Sequence, residues 1–264
     1  MRDLQQYGPW ALVTGASDGI GKALANQIAA HGINVALVAR DEARLRAVAA
    51  DLETRHGIET AVLAADLADP HAVAHVETAT TGLDIGLVVL AAGFGTTGTF
   101  LETTVADEMA LIAVNISAVS QLSHTFAGRL AGRGKGGIIL FGSIVGWQGV
   151  PGQANYAASK AYVQSLAEGL HDELEPHGVD VLSVAPGPVA SGFGARAGLA
   201  MSGATAPEVA ATATLTALGR RRTVIPGARG KFLTSALRPL PRRFRSLILG
   251  RVIAGMRARE TADA

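Results

Sequence analysis

Short apolar, β-rich runs alternate with longer stretches of helical periodicity from residue 10 to residue 225. Strands that are apolar on both faces must be covered by helices on both sides, which commits a chain to parallel βαβ units. The strand-like runs fall at 10–14, 34–39, 59–64, 85–91, 137–141, 180–185 and 223–225. Helical stretches lie near 19–31, 41–55, 69–80, 103–130, 153–176 and 206–218, and Gly32, Gly57 and Gly178 stand just past helix ends, as left-handed C-caps do. The expectation is one α/β domain built on a doubly wound, seven-stranded parallel sheet. In such sheets ligands bind at the carboxyl ends of the strands, near the point where strand order reverses. The loops that follow the strands are therefore where chemistry is expected.

Composition narrows the function classes. The 264 residues are 48% hydrophobic and only 5% aromatic, a profile of helices packed closely on a sheet. With no cysteine, a disulfide framework, a thiolate metal site and a cysteine nucleophile are all excluded. The opening stretch does not read as a signal peptide, and no run of about 18 uninterrupted apolar residues marks a membrane span. A soluble, cytoplasmic protein is expected. The net charge of +1 hides an asymmetry: residues 1–208 carry 11 Lys/Arg against 20 Asp/Glu, and residues 209–264 carry 12 against 2.

The first loop, from Thr14 through Gly15, Ala16, Ser17, Asp18, Gly19 and Ile20 to Gly21, opens the first helix. Its glycines permit a tight turn, close backbone approach to a pyrophosphate and close helix–strand packing. The second strand ends Ala39-Arg40, where a carboxylate is expected for a ribose 2′-hydroxyl and a cation for a 2′-phosphate. Arg40 favours NADP(H), and Asp41 beside it leaves NAD(H) as the minority reading. Asp66 and Leu67 follow the third strand, with Asp66 placed either to meet an adenine amino group or to hold its own turn. Ala91, Ala92 and Gly93 make a small-residue loop after the fourth. Asn115, amid Ala, Ile and Val, is either a satisfied core amide or the anchor of a water.

Ser143 ends the fifth strand, Tyr156 follows 13 residues later, and Lys160 stands one helical turn beyond. Residues four apart share a helix face, and a nearby cation favours phenolate, so Lys160 is expected to lower the tyrosine pKa. Ser143 is then placed to bind a substrate oxygen while Tyr156 passes a proton. Pro186, Gly187, Pro188 and Val189 carry the chain out over the site.

Taken together, Thr14–Gly21, Ala91–Gly93, Asn115, Ser143, Tyr156-x-x-x-Lys160 and Pro186–Val189 resemble the classical short-chain dehydrogenases/reductases, over roughly residues 8–225. The resemblance implies a Rossmann-type fold and an oxidoreductase. It makes residues 1–225 the catalytic domain, with a substrate lid at about 188–206 and residues 226–264 as a basic, helical extension. It also implies that Ser143 polarises the carbonyl and that Tyr156 is the general acid/base. Lys160 would tune Tyr156 and hold the nicotinamide ribose, and Asn115 would hold a relay water. Gly15, Ser17, Asp18, Gly19, Ile20 and Gly21 would line the pyrophosphate, Asp66 and Leu67 the adenine, and Ala92, Gly93, Pro186, Gly187 and Val189 the nicotinamide end. The family usually has Asn at the position of Ala91, where it ties neighbouring strands.

The lid is small and apolar, with Phe193 and Met201, and Trp147 and Gln148 flank the other side of the site. An apolar or bulky carbonyl/alcohol substrate is expected. His71 and His75 stand four apart without a third ligand, so they read as a surface helix and no metal is needed. By resemblance the helices at 103–130 and 153–176 make a homodimer or homotetramer. The tail places Phe244, Leu247, Ile248, Val252 and Met256 near one helical face among arginines. Packing against the domain or another subunit is the first reading, and contact with an anionic membrane or an acyl carrier the second. No nucleic-acid partner is expected. The competing function class is a dinucleotide sensor or scaffold without turnover, against which the intact Ser143, Tyr156, Lys160 and Asn115 argue.

Overall fold

A computed structural model describes residues 4–201 and 203–263, with side chains as far as residue 257; residue 202 of the lid and residue 264 lie outside the described residues. The strands are β1 (Trp10–Thr14), β2 (Asn34–Ala39), β3 (Thr60–Ala64), β4 (Ile85–Leu90), β5 (Gly136–Phe141), β6 (Val179–Val184) and β7 (Thr223–Val224). They form one seven-stranded sheet in the order β3-β2-β1-β4-β5-β6-β7, every pair parallel. The strand order reverses between β1 and β4, which fixes where a ligand cleft opens.

The helices are α1 (Gly19–Ala29), α2 (Glu42–His56), α3 (Ala72–Ala79), α4 (Val105–Ile112), α5 (Val119–Arg133), α6 (Ala154–Leu174), α7 (Gly192–Ala197), α8 (Pro207–Ala217), α9 (Ala228–Leu237) and α10 (Arg242–Asp263). Successive strand residues point to opposite faces, so each strand feeds two cores. Ala11 and Val13 of β1 join Leu24 of α1, Leu45 of α2 and Leu215 of α8 on one face. Leu12 joins Val76 of α3, Phe126 of α5 and Val163 of α6 on the other. The sheet is thus covered on both sides.

Two local departures from the sequence reading have clear causes. The stretch expected at 69–80 becomes helical only at Ala72. Before that, Asp66 Oδ1 accepts from Ala68 N–H at 3.1 Å and Asp69 Oδ1 from His71 N–H at 2.8 Å, and such turns compete with helix. The long helix expected at 103–130 contains a π-helical turn, Ala113–Ala118, between α4 and α5. The extra residue in that turn brings Asn115 inward, where it is 1% exposed. The span Val105–Arg133 is long and apolar enough to cross a membrane by length and composition alone. Here Leu111, Leu122, Phe126 and Leu130 are buried within the fold.

The basic extension folds back on the domain. Leu249 and Ile253 of α10 pack with Ile144, Tyr156 and Leu199 in a third apolar cluster. The lid joins α10 through Ala200 N–H to Met256 O at 3.2 Å, and Arg257 pairs with Glu102 at 2.9 Å. Ile248 and Met256 pack against this cluster, whereas Phe244, Leu247 and Val252 are exposed. The apolar face read from the tail is therefore divided between the domain and the surface.

Candidate active site

The site assembles on the carboxyl ends of β1, β4, β5 and β6. At the first of these, α1 sits so close to the preceding turn that a Cβ on Gly21 would lie 2.3 Å from Gly15 O. Asp18 stands at the N-cap of α1 without capping it; its carboxylate accepts instead from Gly192 N–H at 2.8 Å. The first N–H groups of α1 therefore keep their capacity for an anion, and the cofactor loop is latched to the lid. Where the family usually ties strands through Asn, Thr14 Oγ1 bridges β1 and β4. It donates to Val89 O at 3.5 Å and accepts from Ala92 N–H at 3.0 Å, leaving Ala91 free to be small.

Ser143 leaves β5 in extended conformation and begins a 3₁₀ turn, Ile144–Trp147. That turn lies directly against α6: a Cβ on Gly146 would stand 2.8 Å from the carbonyl carbon of Lys160. The turn bearing the serine and the helix bearing the tyrosine and lysine are thereby locked together. Ser143, Tyr156 and Lys160 are 8%, 8% and 7% exposed. Ser143 Oγ donates to Pro186 O at 3.3 Å, which ties it to the loop after β6.

Burial pushes the Tyr156 phenol well above the ordinary tyrosine value, and a hydrogen bond with Ser143 pulls it only part of the way back. This corrects the expectation of a phenol lowered by lysine. Lys160 Nζ stands 5.6 Å from the centre of the tyrosine ring and donates to Phe141 O at 2.9 Å. Desolvation, which disfavours any buried charge, is the largest cause of the Tyr156 shift. The same effect pushes Lys160 down from 10.5 to about 8.

Asn115 reads as a satisfied amide. Its Nδ2 donates to Phe94 O at 2.9 Å and to Ser159 Oγ at 3.1 Å, and its Oδ1 accepts from Phe94 N–H at 3.1 Å. Ser159 Oγ in turn donates to Tyr156 O at 2.8 Å, so the loop after β4 is fastened to α6. Next to Phe94, a Cβ on Gly93 would come within 3.1 Å of Asn115 Oδ1 and 3.3 Å of Lys160 Nζ.

Ser143, Tyr156, Lys160 and Gly93 border one cleft of about 430 Å³. Asn115 does not line it, whereas every dinucleotide-binding residue named from the sequence does. So do Ser143, Tyr156, Phe193 and Met201; Trp147 and Gln148 do not, and line a neighbouring cavity instead. Phe193 stacks obliquely on Tyr156, ring centres 5.6 Å apart. An open helix N-terminus, a glycine cradle and a lysine at the inner end fit a dinucleotide.

Sequence reasoning missed three contributors. Ser159 was visible only as a small residue beside Lys160. Arg196, the sole charge in the 188–206 lid, lines the cleft near Arg40, Asp18 and Asp66. Leu233, Leu249, Val252, Ile253 and Met256 of α9 and α10 supply an apolar wall.

Comparison with known proteins agrees with this fold. The short chain dehydrogenase profile matches residues 9–200. A 7β-hydroxysteroid dehydrogenase of Collinsella aerofaciens is 32% identical over 234 residues, covering 86% of this chain and 89% of that relative. A solved 7β-hydroxysteroid dehydrogenase structure aligns with a TM-score of 0.87 at 29% identity, covering 95% of this chain and 100% of the other. A short-chain dehydrogenase from Sphingobium yanoikuyae in complex with NADPH aligns at 0.78 with 33% identity, over 88% and 94% of the two chains. The bulky-bulky ketone specific alcohol dehydrogenase of Comamonas testosteroni aligns at 0.74 with 32% identity, over 88% and 92%. The chain belongs to the short chain dehydrogenase family. It is an oxidoreductase acting on a CH–OH/C=O pair.

Proposed function

We propose that the protein interconverts an apolar or bulky ketone and its secondary alcohol with NADP(H). The observation that carries this reading is the placement of Ser143, Tyr156 and Lys160 side by side beneath the apolar wall of the cleft. A dinucleotide held by the Gly15–Gly21 loop and Lys160 would supply or accept the hydride. Ser143 holds the substrate oxygen, Tyr156 gives or takes its proton, and Lys160 holds the nicotinamide ribose. Asn115 keeps the backbone of Phe94 in place beside them. A positioned proton donor of this kind accounts for about 10²–10⁴-fold in rate.

The preference for NADP(H) is supported at the other end of the cleft. Asp41, the residue that kept NAD(H) in view, caps α2 through Arg44 N–H at 3.0 Å and pairs with Arg44 Nε at 3.2 Å. Arg40 and Arg196 line the cleft. The guanidinium of Arg196 is pushed below its usual range by burial, then by the charges of Arg40 and Arg44. Two cations facing one site fit a 2′-phosphate.

A panel of ketones and alcohols assayed in parallel with NADPH/NADP and NADH/NAD tests the reading. The expected result is turnover of lipophilic ketones with NADPH. Preference for NADH, or for small charged ketones, overturns it. Assembly as a homodimer or homotetramer in the cytoplasm is part of the same proposal. The assembly is supported by the exposed Phe100, Leu101, Val105 and Met109 around α4, and sedimentation velocity checks it.

A further inference from the structure

We propose that a second cavity, beside the substrate end of the cleft, binds the carboxylate-bearing end of an apolar molecule. The cavity measures about 340 Å³ and lies between the turn after Ser143, α9 and α10. At about 30 Å³ per water-sized group it has room for about eleven such groups. Its walls include Trp147, Ile225, Leu237 and three residues that also line the catalytic cleft, Ile144, Leu233 and Leu249.

The polar lining is one-sided. Arg238 and Arg245 line the cavity, and no acidic residue does so among the described residues. Gln148 is already engaged, its Nε2 donating to Ile144 O at 3.2 Å and Val145 O at 3.4 Å. Arg245 Nε and Thr234 Oγ1 are buried with no hydrogen-bond partner. Buried donors left unmet are costly and rare, and here both belong to side chains of residues that line one cavity. An apolar chamber with a guanidinium and a hydroxyl in need of an acceptor is complementary to an aliphatic or alicyclic carboxylate. Arginine pairs well with carboxylates through its planar fork. Since the chamber shares a wall with the catalytic cleft, the carboxylate is either the far end of the substrate or the head of a separate ligand.

Trp147 reports on the cavity directly. The chain has two tryptophans, and Trp10→Phe removes the other, at the start of β1. In that background the emission of Trp147 is titrated with octanoate and with 1-octanol. Octanoate is expected to give a saturable change, with octanol binding about tenfold or more weakly. Arg245→Gln is expected to weaken octanoate by about tenfold or more and to leave octanol unchanged. Thr234→Val should also weaken octanoate while leaving the melting temperature of the free protein the same or higher; a merely structural hydroxyl would lower it. Steady-state inhibition separates the two sources. Competition with a lipophilic ketone assigns the carboxylate to the substrate, and non-competitive inhibition assigns it to a second ligand. No response to octanoate, equal affinities for octanoate and octanol, or an unchanged octanoate affinity in Arg245→Gln overturns the proposal.

Discussion

Replacing Lys160 by Met should make the free protein more stable as it destroys the catalyst. Burial holds the ammonium at a pKa of about 8 against an ordinary 10.5. At about 1.36 kcal/mol per unit, keeping that lysine charged at pH 7 costs about 3 kcal/mol. Methionine fills a similar volume without a charge but leaves Phe141 O without its donor, a loss of about 1 kcal/mol. The net expectation is a gain of about 2 kcal/mol, or about 4–8 °C in Tm for a domain of this size. The sign of the pH dependence is fixed by linkage. Because the folded pKa lies below the unfolded one, wild-type stability rises as pH climbs from about 8 toward 10.5 and is flat below 8. The advantage of the variant should therefore be largest at pH 7 and nearly gone by pH 9.5–10. Urea unfolding of both proteins at pH 7.0 and pH 9.5 measures it. A variant no more stable than wild type at pH 7, or an advantage that does not change with pH, refutes the account of Lys160 as a desolvated cation.

Tyr156→Phe keeps the contact with Phe193 but removes the proton donor; kcat should fall by about 10²–10⁴-fold while NADPH affinity, read by fluorescence, stays within about threefold. Asn115→Ala leaves both backbone groups of Phe94 without a partner and should cost about 2–3 kcal/mol in urea unfolding, with a lower kcat. Arg40→Ala should weaken NADPH by about tenfold or more and leave NADH unchanged, and Arg196→Ala should act in the same direction with a smaller effect. Ile253→Ala opens the apolar wall; KM should rise for bulky ketones and stay constant for small ones, at a stability cost of about 2–5 kcal/mol.

The sheet was legible because its strands are continuous β-branched and aliphatic runs such as Val35–Val38, and both faces of such a run must be buried. The candidate catalytic residues Ser143, Tyr156 and Lys160 were legible because they follow β5 at a fixed spacing. The π-helical turn was not, since the apolar period from Val105 to Arg133 reads through it. One added residue is visible only once Asn115 has reached Phe94 and Ser159. The division of α10 was also hidden. Phe244 and Leu247 are as apolar as Leu249 and Ile253, and only long-range packing decides which pair faces the cleft. The direction of the Tyr156 shift failed for a related reason. Spacing puts a cation near a phenol, but only the fold shows how little water reaches either group.

The contact between Gly146 and Lys160 acts as a machinist's datum for the site. Ser143 and Tyr156 are carried on separate pieces of chain, and their separation is set where those pieces touch, backbone against backbone. An added methyl there would stand 2.8 Å from a carbonyl carbon, so one piece would have to shift. The spacing of the two groups is thus held by an atom that is missing, at a residue outside the lining of the cleft.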